Sequence, residues 1–298
     1  AIKTGTPLLM IALGEVICEK SGVLNLGQEG MMLMGAVVGF LAAYSTGSAG
    51  LGILSAVIMG VMMSLIFAFL VLQLEANQVA TGLALTIFGT GLSAFVGSDV
   101  VGQTIQGFQP IIIPVLSDIP IIGKIFFTHD LLVYISFLMA ILVAYVATKT
   151  RIGLILKAVG ENPHAANAIG IKVLRVRYLA VMFGGAMAGL SGAYMSLVYT
   201  PMWVENMTSG RGWIALALVV FASWRVGRIL LGAYLFGLAS IMHLVLQGMG
   251  WDISPNLLAM LPYVATVVVM VIISADHFKE KLLAPRSLGK PFDPRQMA

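Results

Sequence analysis

The stretch SGVLNLGQEGMMLMG, residues 21–35, sets Asn25, Gln28 and Glu29 among glycines at the mouth of an apolar segment. A plain membrane anchor has no use for two amides, a carboxylate and Gly22, Gly27 and Gly30 at that point. Two chemistries fit. Side-chain amides can satisfy the backbone groups freed where a helix is broken inside a membrane. They can also offer several weak hydrogen bonds to a neutral, hydroxyl-rich solute in passage, with no strong charge to trap it. Glu29 has a plainer reading as a solvated first-turn acid favoured by the helix dipole. A second polar cluster, Asn206, Ser209 and Arg211, leads into the apolar run that starts at Gly212. Phe88, Trp213 and Phe221 are aromatic faces for a passing ring, or simply packing. His243 is the one titratable group well inside a long apolar run. Its imidazole is either a proton relay or a hydrogen-bonded interior residue, so an ion-coupled (secondary) transporter of a small neutral solute is the rival reading.

No catalytic constellation or metal-ligand set stands out, and no enzyme is expected. The 18 methionines read as soft helix packing. Cys18 is alone, which excludes an internal disulfide. There is no G-x-x-x-x-G-K-[ST] phosphate loop; SLGKP at 287–291 lacks the upstream glycine and has proline after the lysine. Any energy from ATP would enter through another chain, and no cofactor is expected in this one.

The elements that must position these residues are helices in a bilayer. Of 298 residues, 59% are hydrophobic and 10% charged, against about 25% charged in a soluble domain. The expected fold is an all-α polytopic membrane protein with about nine membrane segments: 4–18, 30–47, 52–72, 79–98, 131–148, 178–200, 212–224, 229–247 and 257–275. Two are too short for ordinary spans and read as broken or re-entrant. Residues 4–14 soon reach Glu15. Residues 212–224 would be only about 20 Å long as a helix, against a core of about 30 Å. Alternating the segments puts every basic residue except Lys3, Lys124 and Arg211, of 17 in all, on one side. The positive-inside rule makes that side cytoplasmic, with the C-terminus inside. The net charge of +4 therefore reports topology, and no nucleic acid is expected.

The second half of the chain echoes the first. GQEGMMLMGAVVGF (27–40) aligns with SGRGWIALALVVFA (209–222), GILSAVIMG (52–60) with RILLGAYLFG (228–237), and NQVATGLALTIFGTGL (77–92) with NLLAMLPYVATVVVMV (256–271). Segments one to four then match six to nine. Five crossings separate the copies, an odd number, so the two repeats are inverted, a plan common among transporters. Asn25, Gln28 and Glu29 correspond to Asn206, Ser209 and Arg211.

Between the repeats, ENPHAANAIG (161–170) reads as a short helix over 163–169: Asn162 caps it, Pro163 suits the first position and Gly170 the stop. So short a helix needs something packed on it. Its alanines leave a thin surface for a close partner, and basic residues surround it. A phosphate-facing basic loop with an incidental turn is the plainer reading.

GENPHAANAIGIKV (160–173) resembles the coupling-helix motif of the permease subunits of bacterial ABC importers. EKSGVLNLGQEGMMLMGA (19–36) and EANQVATGLAL (75–85) resemble the simple-sugar and nucleoside branch of that group, related to ribose and branched-chain amino acid permeases, and the nucleoside-type subunits most of all. The resemblance implies one transmembrane permease domain over 1–298: repeat one 4–98, a linking helix 131–148, a cytoplasmic coupling region 149–177, repeat two 178–275 and a cytoplasmic tail 276–298. It implies coupling to a separate ATPase through Gly160, Glu161, Asn162, Pro163, His164, Ala165 and Gly170. It implies a translocation path beside Asn25, Gln28, Glu29, Asn77, Gln78, Phe88, Asn206, Ser209 and Trp213. The implied partners are the ABC ATPase that binds the ATP, a second permease (identical or homologous) and an extracytoplasmic substrate-binding protein, in a bacterial inner membrane. The cargo would be nucleosides or simple sugars such as ribose. The outer loop 99–130, too long and apolar for a free linker, is expected to lie on the outer surface as a short amphipathic piece, as docking element or lid.

Overall fold

The computed structural model describes residues 1–275, apart from 109–110, 113 and 115–116, together with residues 284–295. The helices in chain order are α1 (Ile2–Lys20), α2 (Gln28–Thr46), α3 (Ala49–Ala68), α4 (Gln78–Val96), α5 (Ile122–Phe126), α6 (Leu131–Lys149), α7 (Arg151–Glu161), α8 (Pro163–Ala168), α9 (Val173–Ala193), α10 (Arg211–Phe221), α11 (Val226–Gly248), α12 (Pro255–Ala259) and α13 (Leu261–Ala275). Strands β1 (Ile111–Ile112) and β2 (Thr128–His129) pair antiparallel. α3 and α9 each run on as a π-helical turn, Phe69–Gln73 and Tyr194–Tyr199.

α1, α2 and α9 form the inside of the molecule. Every residue of α1 except Lys3 and Lys20 is buried. Such packing needs small residues at the crossings, because lipid supplies no hydrophobic drive between helices and close backbone contact must replace it. A Cβ on Gly60 of α3 would run into the carbonyl of Gly185, and one on Gly192 into the carbonyl of Met32. Pro7 sits inside α1 without leaving a loose end. It has no N–H to give the Lys3 carbonyl, and the Tyr194 hydroxyl donates to that oxygen instead, at 2.8 Å.

The remaining long helices form the outer layer. In the apolar windows of α3, α4, α6 and α11 a third or less of the residues are buried, against 83% in α9. Their open faces carry residues such as Ile87, Phe95, Ile141 and Leu231, which suits lipid contact and no aqueous role. Among the described residues, six helices are long and apolar enough to cross a membrane: α2, α3 with its π turn, α4, α6, α9 with its π turn, and α11.

The structure departs from the nine expected segments at several points. α1 is one unbroken helix past Glu15, because that carboxylate is buried and hydrogen-bonded. α2 runs from Gln28 to Thr46 where 30–47 was expected. The 212–224 segment is short as expected, 11 residues in α10. The 257–275 segment is split at Met260 into α12 and α13. The loop 99–130 is no single amphipathic piece: it holds the β ribbon and α5, and Gly102 and Ile105 donate backbone N–H bonds to Trp203 and Pro201. The expected tail residues 276–283 and 296–298, and part of that outer loop, lie outside the described residues.

Candidate functional site

The chain between α1 and α2 turns inside the protein. Ser21, Gly22, Val23, Asn25, Gly27 and Gln28 are all buried, so their backbone groups have no water to bond and need partners from the chain. Gly22 takes a φ of +98°, which opens the turn. The Leu24 N–H donates to Gln78 Oε1 (2.8 Å), the Asn25 N–H to Glu15 Oε1 (3.0 Å), and the Gly27 N–H to Asn25 Oδ1 (2.9 Å). The Leu26 carbonyl accepts from the Thr86 hydroxyl, and the Ser21 carbonyl from Arg177 Nε, both at 2.9 Å. Gln28 Nε2 donates to Glu15 Oε2 at 2.7 Å. Glu15 thus holds both ends of the elbow, at Asn25 and at Gln28.

Glu29, in the first turn of α2, reaches across to the start of the short helix α10. Its Oε1 accepts from the Thr208 hydroxyl (2.6 Å) and the Gly210 N–H (2.9 Å), and its Oε2 from the Gly212 N–H (2.6 Å). These are orphan donors at the start of α10, capped by a carboxylate from a different helix. Because a helix N-terminus carries partial positive charge, a buried carboxylate is favoured there. The two backbones nearly touch: a Cβ on Gly212 would sit 2.7 Å from the Glu29 Cα. The starts of α2 and α10 therefore meet at one carboxylate, which is 3% exposed and so is no solvated first-turn acid.

Of the residues expected beside a path, the structure joins Glu29 to the 208–212 turn and Asn25, Gln28 and Gln78 into the elbow. Asn77 is exposed and caps α4 by accepting from the Ala80 N–H at 2.9 Å. Asn206 and Ser209 are exposed at left-handed φ values of 55° and 50°. Phe88 is half exposed and Trp213 about a third, on the outer faces of α4 and α10. Glu15, Thr86 and Thr208 were not expected in the site. The nearest sequence signal for Thr208 is its position just before SGRG, and for Glu15 its place in an otherwise apolar run. His243 bonds through Nδ1 to the Ser240 carbonyl of its own helix, at 2.6 Å. Among the described residues no group of three His, Cys, Asp or Glu side chains is placed to hold a metal ion.

At the end where α1 finishes, Asn162 caps α8 by accepting from the Ala165 N–H at 3.0 Å, and Gly170 ends it at φ +95°. The expected 163–169 helix is found as six residues. Pro163 and Ala166 face inward, while Ala165, Asn167, Ala168 and Ile169 are exposed. Glu161 pairs with Arg286 at 3.6 Å. Gly160 is a crossing point, where a Cβ would run into the Lys20 carbonyl.

Gln78 gives a direct test of the elbow. Gln78→Leu strips the Leu24 N–H of its acceptor and is expected to cost about 1–3 kcal/mol. Asn77→Ala, one residue away, removes only a helix cap, about 1 kcal/mol. Melting curves of the two purified variants should rank in that order. Equal melting temperatures would show that the elbow does not depend on this bond.

A family model described as branched-chain amino acid transport system / permease component matches residues 1–274. The chain is 43% identical over 259 residues to a provisionally assigned glucose ABC transporter permease protein of Haloferax volcanii, covering 86% of this chain and 79% of that one. It is 33% identical over 303 residues to a guanosine ABC transporter permease protein of Bacillus subtilis (96% and 92% covered). It is 33% identical over 301 residues to a nucleoside ABC transporter permease protein of Lactococcus lactis (95% and 92% covered).

Proposed function

The chain belongs to the family of branched-chain amino acid transport system permease components, and from that premise we propose that it carries nucleosides, or simple sugars, through a path shaped by the α2–α10 junction. It is a multi-pass membrane permease subunit of an ABC importer, and the family works with an ATPase and a substrate-binding protein. The nucleoside assignment leans on the guanosine and nucleoside permeases it resembles over nearly its whole length. The glucose relative keeps sugars within the proposed range.

The observation that carries the reading is the Glu29 bridge. Broken helices whose ends meet inside a membrane recur in transporters at the interface of two repeats. The inverted repeat draws support from the packing. Exchanging α1 with α9, α2 with α10, and α3 with α11 turns the α3–α9 contact into α11–α1, α2–α9 into α10–α1, and α2–α3 into α10–α11; all six occur. Close packing of α2 on α4 has no equal between α10 and α13 among the described residues, so this support comes from the central helices alone. Asn25, Gln28, Glu29 and Gln78 hold the broken ends. Phe88, Trp213, Asn206 and Ser209 are free to face the solute or a second permease. ATP would bind the partner ATPase, whose closure moves α8 and switches the path. The basic residues around α8 support a cytoplasmic position for that end, with the tail on the same side, in a bacterial cell.

Proteoliposomes holding this chain with its ATPase, partner permease and binding protein are expected to take up labelled guanosine or another nucleoside only when ATP is supplied. Uptake that persists when both nucleotide sites of the ATPase are inactivated would reject the reading in favour of ion-coupled transport.

A further inference from the structure

Arg177, near the start of α9, is wholly buried, yet no carboxylate pairs with it among the described residues. Its guanidinium is shared among separate pieces of chain. Nε donates to the Ser21 carbonyl at 2.9 Å, Nη2 to the Ser287 hydroxyl at 3.2 Å, and Nη1 to the Lys290 carbonyl at 3.4 Å. The Phe292 ring lies under it, 5.9 Å from Cζ. Residues 284–295 thus form a strap folded back on the molecule.

The strap touches both ends of the coupling arm and the elbow. Its Ser287 N–H donates to the Gly160 carbonyl at 2.9 Å, at the end of α7. Its Gly289 N–H donates to the Gly22 carbonyl at 3.1 Å, in the turn between α1 and α2. Phe292 is buried with Val159, Ala166 and Val173, and its ring centre is 5.1 Å from that of His164 on α8. Arg177 therefore stands between α8 and the elbow whose next residues carry Asn25, Gln28 and Glu29.

A buried cation without a counter-ion is a poor choice if stability is the only demand, since apolar side chains of similar volume usually serve as well or better. What a guanidinium adds is a planar fork of donors that fixes several acceptors in one geometry. We propose that Arg177 and the strap 284–295 position α8 rigidly on the α1–α2 elbow, so that a displacement of α8 is delivered to the Glu15 and Glu29 junctions rather than lost in a loose arm. The inference rests on the importer reading, in which α8 is the part moved by the ATPase. Coupling carried through packed and hydrogen-bonded neighbours is an ordinary physical route, and it requires a direct measurement.

That measurement is the number of solute molecules imported per ATP hydrolysed by the complete complex in proteoliposomes. It is taken with co-purification of the ATPase and the melting temperature of the complex. Arg177→Met and Phe292→Ala are expected to keep the ATPase bound and hydrolysing while import per ATP falls about tenfold. Arg177→Lys should recover part of it, because the charge remains and the fork is lost. Truncation after residue 283 should behave like Arg177→Met. Unchanged import per ATP in both Arg177→Met and Phe292→Ala overturns the proposal. So does a parallel fall of import, co-purification and melting temperature in both, which makes the strap a structural support only. A wild-type complex that hydrolyses ATP and imports no solute would instead reject the importer reading itself, and this inference with it.

Discussion

Glu29→Ala is expected to abolish uptake and to loosen the start of α10. The substitution leaves the Thr208 hydroxyl and the Gly210 and Gly212 N–H groups without their acceptor. Hydrogen bonds to a charged group contribute about 1.5–3 kcal/mol each, so the junction loses several kcal/mol even allowing for non-additivity. A solvated surface acid would behave differently, with a change within about 0.5 kcal/mol. Glu29→Gln is the sharper probe, because it preserves shape. One oxygen still accepts, while the new NH₂ faces a donor. Uptake by Glu29→Gln should therefore fall at least about tenfold, a difference of about 1.4 kcal/mol at the junction. Reconstituted uptake measures the functional loss, and amide hydrogen exchange over 208–214 locates it. Wild-type uptake by Glu29→Ala would show that the meeting of the two helix ends is dispensable for transport.

How far the sequence anticipated this site depends on the range of the interactions involved. The short helix expected at 163–169 and found at Pro163–Ala168 was legible to within a residue, because an Asn cap, a first-position proline and a terminal glycine act on their own neighbours. The break near residue 25 was legible as well, since amides and glycines have no place in a plain span. The partners of those amides were not. Glu15 looked like the end of a short apolar piece, because a window of residues counts charges and knows nothing of what bonds them. In the structure the Asn25 N–H and the Gln28 amide satisfy that carboxylate, and the helix runs on. The alignment of 27–40 with 209–222 paired Glu29 with Arg211, one residue before the Gly212 that Glu29 meets in the structure. Nothing local to either stretch encodes the contact. The β ribbon was missed because two paired residues leave no periodic pattern. The strap was missed for a related reason: residues 284–295 read only as part of a basic cytoplasmic tail, 276–298, and the one contrary sign was Phe292 between two prolines.

Ala165→Trp is expected to separate docking from folding. Ala165 lies on the exposed side of α8, with Asn167, Ala168 and Ile169, the last 77% exposed. The opposite side, Ala166, is already spent on Val159, Val173 and Phe292. A tryptophan at 165 therefore starts from a position exposed among the described residues and should change the stability of the isolated subunit by no more than about 0.5 kcal/mol. It would stand in the way of any partner that approaches the thin alanine surface. Co-purification of the ATPase should then be lost, and ATP-driven uptake with it. Gly160→Leu makes the contrast. Its side chain would run into the Lys20 carbonyl and press on Pro285, so it should lower the melting temperature of the subunit alone, before any partner is added. A defect at 160 thus reports packing of α7 on α1, and a defect at 165 reports the surface of α8. If Ala165→Trp binds the ATPase and transports normally, docking lies elsewhere. The next place to look is the cavity of about 680 Å³ beside α7, whose wall includes Lys20, Lys157 and Arg225.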